Sequence, residues 1–240
     1  MSVSVAWAHI DTVFLDAGNT LVSMDFDLLC EALGSHGVAC TPELLARAEA
    51  AARPAVSRFL AGASTEWGHT FTFYVRTILA GLGDAASAAS DDLAPKLAAE
   101  IRATVATQRL WSRVLPGVHE ALRDLRAAGL TLVVVSNSDG TVEQGMIATG
   151  LRPHLHHVVD SAVVGFEKPD PRIFQHALEA VGARPERTLH VGDLYTVDVL
   201  GARSAGLHAV LLDPYGDWPD VDCPRAPDVP DVARQLAAAR

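Results

Sequence analysis

Short apolar runs, each closing on polar residues, recur along this chain. The first is Ile10-Asp11-Thr12-Val13-Phe14-Leu15, which closes on Asp16; the second, Thr131-Leu132-Val133-Val134-Val135, closes on Ser136 and Asn137. A weaker run, His157-Val158-Val159, closes on Asp160. Thr188-Leu189-His190-Val191 then closes on Gly192-Asp193, and Leu207-His208-Ala209-Val210-Leu211-Leu212 on Asp213. Brief, β-branched, nearly continuous apolar runs are what the strands of a covered parallel sheet look like. Helical patterns alternate with them. Pro116 to Ala128 carries Val118, Leu122 and Leu125 at helical spacing and ends at Gly129. Thr141-Val142-Glu143-Gln144 has the form of a capping box, and Gly150 follows that helix. Asp170-Pro171 puts an N-cap before a proline at the first helical position, opening a helix through Ala180. The small residues Gly201, Ala202 and Ala205 in Thr196 to Ala205 suit close packing on a sheet. This alternation predicts a doubly wound, parallel α/β sheet whose ligands bind at the carboxyl ends of its strands.

Leu21 to Val114 breaks the alternation. It is alanine-rich and helical in pattern, with turn signals at Gly34 to Gly37, Gly62 to Thr65 and Gly81 to Asp84, and shows no convincing strand. The expected organisation is a core of residues 1–21 and 114–240, with an all-α module over 22–113 acting as a lid above the catalytic edge.

Composition narrows the function classes. Twenty-nine acidic residues against 19 basic ones leave a formal net charge of −10. Nucleic acid and anionic membrane need a basic footprint, so neither is an expected partner. A phosphorylated small molecule is compatible, because a few cations and a metal make a local positive site. No run approaches the roughly 18 apolar residues of a membrane span, and the start of the chain lacks a signal-peptide pattern. Cys30, Cys40 and Cys223 form no CxxC pair, so neither a disulfide framework nor a zinc site is expected. A cytoplasmic protein, monomeric or homodimeric, fits these features.

The polar clusters at the strand ends carry the candidate chemistry. Singly each has a plain reading: aspartates cap or turn, Ser-Asn pairs make turns, and lysines sit in solvent. Their joint order and spacing resemble the haloacid-dehalogenase-like hydrolases over nearly all of the chain outside residues 22–113. Phe14-Leu15-Asp16-Ala17-Gly18-Asn19-Thr20-Leu21 looks like the first motif and Val134-Val135-Ser136-Asn137 the second. Glu167-Lys168-Pro169-Asp170-Pro171-Arg172-Ile173-Phe174 is similar to the third, in the form seen with a helical lid. His190-Val191-Gly192-Asp193, continuing to Asp198 and Gly201-Ala202, resembles the fourth.

The resemblance implies a magnesium-dependent phosphatase. Asp16 would be the nucleophile, forming an aspartyl-phosphate and splitting hydrolysis into two displacements. Mg²⁺, which prefers hard oxygen ligands, would be held by Asp16, Asp193 and the main-chain carbonyl of Gly18. Ser136 and the amide of Asn137 would hold the transferring oxygens, and Lys168 would offset their charge. Asp198 would orient metal-bound water or Lys168.

Gly18 departs from that pattern. Phosphatases of the family usually carry an aspartate there, which protonates the leaving oxygen; such a group supplies ~10²–10⁴-fold in rate. Good leaving groups are therefore expected to be favoured, and Gly18→Asp is expected to help alkyl esters most. Asp25 and Asp27 are candidates to stand in, against a plain role capping the first helix of the module. Two sister chemistries share the gap. Dehalogenases need no metal but lack the Gly-Asp pair of the fourth motif; phosphonatases use a lid lysine, and here the module's only lysine is Lys96, read as a surface charge. A catalytically weak phospho-ligand-binding protein is the remaining class. His154, His156 and His157 are read as structural, Trp67, Phe71, Phe73 and Tyr74 as lid core, and Arg53 and Arg58 as a solvated helix face.

Overall fold

A computed structural model describes residues 5–62, 67–104, 107–218 and 220–240. The chain divides into two compact units: one runs to Ser23 and resumes over Trp111–Arg240, and the other is Met24–Leu110.

The first unit opens with β1 (Thr12–Leu15), and β2 (Val22–Met24) follows at its boundary. The second unit is helical: α1 (Phe26–Ser35), α2 (Pro42–Gly62), α3 (Trp67–Ala80), α4 (Asp84–Thr104) and α5 (Thr107–Leu110). The first unit resumes with β3 (Trp111–Val114), α6 (Val118–Ala127), β4 (Thr131–Ser136), α7 (Val142–Ala148) and β5 (His157–Asp160). It continues with α8 (Ser161–Val164), α9 (Pro171–Val181), β6 (Thr188–Gly192), α10 (Gly201–Ser204), β7 (His208–Leu212), β8 (Arg225–Ala226) and α11 (Val229–Ala238).

Six strands form one sheet in the order β5-β4-β1-β6-β7-β8, and every neighbouring pair is parallel. The chain winds from β1 out through β4 to β5, then returns to the other side of β1 for β6, β7 and β8. That reversal places the topological switch between β1 and β6, where a doubly wound sheet opens a crevice at its carboxyl edge.

Side-chain alternation explains the covering on both faces. Val13 and Leu15 of β1 join Leu132, Val134, Leu189, Val191, Val210 and Leu212 in a core closed by α6, α7 and α11. Phe14 points the other way, into Val133, Val135 and Leu211 with Ile173, Phe174 and Ala177 of α9. Each fully buried side chain of this size contributes ~1.5–3 kcal/mol, so β1, apolar on both faces, is firmly anchored.

Three local expectations need correction. The insert was expected to hold no strand, yet β2 and β3 pair as a separate two-stranded sheet. At three and four residues each they are too short to show a period-two pattern, and Trp111-Ser112-Arg113-Val114 is only partly buried. The two-residue β8 at the sheet edge is missed for the same reason. Third, Thr141 flanks α7 without a side-chain cap bond: its hydroxyl donates to Asp139 instead. The free amides of that turn go instead to Asp160, which accepts from Gly140 and Val142 at 3.1 and 3.2 Å. The expected side-chain cap is absent, and a long-range carboxylate holds other amides of the turn. Asp170 does cap α9, accepting from the Arg172 amide at 2.9 Å.

Candidate active site

Asp16 follows β1 directly, and its amide donates to the Val191 carbonyl at 2.9 Å, extending the β1–β6 ladder by one residue. The chain then turns back tightly. Leu21 and Val22 donate to the Ala17 carbonyl, and Asn19 donates to Val22 at 2.6 Å. Asn19 takes φ 52°, a left-handed conformation that asparagine tolerates better than most residues. From that turn its side-chain Nδ2 donates to Asp193 Oδ2 at 3.1 Å, tying the residue after β6 to the loop after β1.

Lys168 reaches the same place from the loop before α9. Its Nζ lies 2.6 Å from Asp16 Oδ1 and 2.7 Å from Asp198 Oδ1. Asp198 sits in the wide π turn Tyr195–Leu200 and folds back over β6, where Oδ2 accepts the Leu194 amide at 2.9 Å and Oδ1 lies 3.1 Å from His190 Nε2. That return path demands Gly192, since a Cβ there would stand 2.2 Å from Asp198 Cγ. Gly201 serves similarly: a Cβ would meet Pro169 Cα at 2.9 Å, so the small residue lets the helix close on the Lys168-Pro169 segment.

The side chain of Asn137 clamps Lys168 by its main chain. Nδ2 donates to the Lys168 carbonyl at 2.8 Å, and Oδ1 accepts the Lys168 amide at 2.7 Å. Ser136 is buried at the last position of β4, in register with Asp160. The structure thus gathers Asp16, Lys168 and Asp198 in one chain of ion pairs, with Asp193 tied to the adjacent loop.

A family model for haloacid dehalogenase-like hydrolases matches residues 10–206. The chain belongs to that family. Haloacid dehalogenase-like hydrolase domain-containing protein 3 of Homo sapiens is 43% identical over 100 residues, 42% of this chain and 40% of that one. Glyceraldehyde 3-phosphate phosphatase of Methanothermobacter thermautotrophicus is 41% identical over 103 residues, 42% of this chain and 45% of the relative. The matched stretch therefore spans less than half of either relative. The magnesium-bound structure of YfnB from Bacillus subtilis shares the fold, with TM-score 0.64 at 20% identity, covering 95% of this chain and 98% of that one.

In this haloacid dehalogenase-like hydrolase, burial controls the electrostatics of the cluster. Burial pushes Asp16 up to about 6, and Lys168 only partly offsets it. Burial acts upward on Asp198 too, but the Lys168 ammonium and the His190 hydrogen bond outweigh it and hold the carboxyl well below its usual range. Lys168 itself stays protonated: burial pulls it down, and Asp16 and Asp198 raise it further. Burial lowers His190, whose ring lies edge-on to Phe174 at 5.0 Å, so the imidazole is neutral and donates Nε2–H to Asp198.

Asp16, Asp193 and Asp198 are all buried, against one ammonium from Lys168. The Lys168 ammonium pairs with Asp16 and Asp198 together. No three His, Cys, Asp or Glu side chains converge among the described residues. The candidate donors are the carboxylates of Asp16 and Asp193, both buried, and the main-chain carbonyl of Gly18. That fits Mg²⁺, which binds through one or two carboxylates and keeps several waters.

Position 18 is more than a missing side chain. A Cβ there would lie 3.1 Å from Cζ3 of Trp111 and 3.4 Å from its Cε3 and Cη2. The indole takes the space into which a residue at 18 would project.

Asp25 caps α1, its Oδ1 accepting the Leu28 amide at 3.2 Å, and Asp27 is exposed in the first turn. Lys96 is exposed on α4, as is Arg58 on α2. Arg53, read as solvated, is buried: it forms a bidentate pair with Glu49, which also accepts from the Tyr74 hydroxyl. A buried partner four residues back accounts for the error. Phe73 stacks on Phe59 at 4.1 Å, and Phe71 and Tyr74 line the apolar interior of the helical unit; the side chain of Trp67 lies outside the described residues. His156 Nδ1 accepts the Leu132 amide at 2.9 Å, His154 packs edge-on to His119, and His157 begins β5.

Three contributions escape sequence reasoning: Asn19 on Asp193, the Asn137 side chain on Lys168, and His190 on Asp198. Asn19 and Asn137 lie within motifs whose neighbours attract the attention. His190 reads as an ordinary strand position, and only the fold-back of Asp198 gives it a partner.

Proposed function

We propose that this hydrolase is a magnesium-dependent phosphatase of small phosphorylated molecules, acting through an aspartyl-phosphate on Asp16. The observation that carries the reading is the buried Asp16–Lys168–Asp198 chain of ion pairs at the switch point of the sheet, with Asp193 tied to the adjacent loop by Asn19. Asp16, Asp193 and the Gly18 carbonyl would hold Mg²⁺, which when bound supplies the neutralising charge that lets a carboxylate meet a phosphate dianion. Lys168 fixes the carboxylate of Asp16 by one oxygen and offsets charge on the transferring group. Ser136 and the Asn137 amide hold the equatorial oxygens. Asp198 and His190 keep Lys168 charged and aimed, and the Asn137 side chain fixes where its stem begins. Asp16 attacks phosphorus, the leaving oxygen departs, and water then cleaves the acyl phosphate to restore Asp16.

Residues 22–113 are proposed as the lid that selects the substrate. The reading also takes the protein as cytoplasmic, monomeric or homodimeric, without nucleic-acid or membrane partners; no helix among the described residues is long and apolar enough to cross a membrane.

The test is phosphate release from a panel of phosphate esters, with and without Mg²⁺. Activity should vanish with EDTA and return with Mg²⁺. Asp16→Asn should abolish turnover while retaining the fold, and BeF₃⁻ should form its adduct on the wild type only. Halide release from a 2-haloacid in metal-free buffer would replace this reading with a dehalogenase. Binding of phosphorylated ligands without turnover would replace it with a binding protein.

A further inference from the structure

The cysteines of the helical unit meet. Cys40 Sγ lies 2.9 Å from Cys30 Sγ, closer than two sulfurs ordinarily approach without a bond and within an ångström of the ~2.05 Å disulfide length. Sequence spacing hides this, because ten residues separate them with no motif.

Local structure explains the meeting. α1 carries Cys30 in its middle and ends on a reversal: His36 and Val38 both donate to the Leu33 carbonyl at 3.0 Å, and Gly37 takes φ +78°. A glycine in the left-handed region after the last turn is how a helix sends its chain back along itself. The returning segment brings Cys40 beside Cys30, and Thr41, whose Oγ1 accepts the Leu44 amide at 3.3 Å, then leads into α2. Backbone hydrogen bonds on both sides hold the two sulfurs together, and both residues remain partly exposed to solvent oxidants.

We propose that Cys30 and Cys40 are a built modification site, forming a reversible intramolecular disulfide that ties α1 to the start of α2. The co-reactant is a small disulfide such as oxidised glutathione. One cysteine, as thiolate, attacks a glutathione sulfur; that S–S bond breaks and one glutathione thiolate leaves. The other cysteine loses its proton, attacks the mixed disulfide and expels the second glutathione. The cysteines lose two electrons and two protons, and glutathione gains both. Burial and the neighbouring sulfur push the Cys30 thiol up to about 12, so Cys30 rests as a thiol and supplies its thiolate only slowly.

The experiment equilibrates the intact protein in glutathione buffers of increasing oxidised fraction, then quenches with acid. Under denaturing conditions the thiol count should fall from three to one, leaving Cys223. Cleavage after Glu31 separates the two cysteines in sequence, so mass spectrometry should find their peptides joined, and released by a thiol reductant. Cys223→Ser should keep the linkage; Cys30→Ser and Cys40→Ser should each lose it. Closing a ring of about ten residues should raise the melting midpoint by roughly 5 °C, and in neither single variant. A folded protein that keeps three thiols, carries separate glutathione adducts on the two cysteines, or links only between molecules would overturn the proposal. A linked form that melts no higher than the reduced one would overturn its stabilising role.

Discussion

Gly18→Asp would install the carboxylate that the first-motif resemblance leads one to expect as an acid, and the structure argues that alone it will fail. The new Cβ would stand 3.1 Å from Trp111 Cζ3, with Cε3 and Cη2 at 3.4 Å. Ordinary carbon contacts lie at ~3.5–4.0 Å, so the indole must retreat by several tenths of an ångström before any carboxyl is accommodated. Overpacking of this kind typically costs ~1–3 kcal/mol. The indole is partly buried and packs against the core, so its retreat is resisted. A correctly placed general acid is worth ~10²–10⁴-fold, or ~3–5 kcal/mol. The substitution alone should therefore lower the melting temperature and leave alkyl-ester rates nearly unchanged, contrary to what the sequence suggests. Combining it with Trp111→Ala opens the space, so the pair should be strongly non-additive, with the alkyl-ester gain appearing only in the double variant. The assay is log(kcat/KM) against leaving-group pKa for wild type, both single variants and the double variant, in saturating Mg²⁺. Gly18→Ala provides the same crowding without the acid. A hundredfold gain on alkyl esters from Gly18→Asp alone would refute the steric argument. A flat wild-type line, with chemistry rate-limiting, would refute the absence of an acid.

Lys168→Met should abolish turnover and destabilise the protein by ~3–5 kcal/mol in chemical denaturation, because it strands two buried carboxylates, whereas Asp198→Asn should cost less. The ionisation of Asp16 sets a pH signature in metal-free buffer. Its folded pKa, about 6, lies above the ordinary 3.8, so its contribution to stability is present below about 4 and lost as pH rises through 6. Asp16→Asn should accordingly gain on the wild type, by up to ~3 kcal/mol, as pH climbs from 4 to 7, and a constant difference would contradict this. Gly192→Ala should lose activity, since its Cβ would displace Asp198; retention of wild-type kcat/KM would show that the fold-back is dispensable.

The strand ends were legible because the chemistry sits where short apolar runs stop, and a parallel sheet aligns those stops. Asp16, Ser136 and Asp193 needed only the strand pattern and the order of motifs to be brought to one edge. What stayed hidden depends on side chains that cross between segments. Thr141 leaves a capping box that looked complete in sequence unmade, and Asp160 reaches over to hold other amides of that turn. Arg53 is buried because Glu49 lies one turn back and Tyr74 reaches over from α3, a partnership no hydrophobic pattern reveals. The cysteine pair depends on a glycine reversal whose register decides which residue returns beside which.

Position 18 shows the same division at closer range. The backbone of Ala17 to Val22 is held by its own hydrogen bonds whatever side chain stands at 18, so the proposed nucleophile and the candidate metal ligands are compatible with glycine there. The acid is different, because it needs volume, and that volume belongs to a tryptophan far away in sequence and adjacent in space. Glycine at 18 and Trp111 are thus one structural feature. Substituting the glycine without the tryptophan tests only packing; substituting both tests the chemistry.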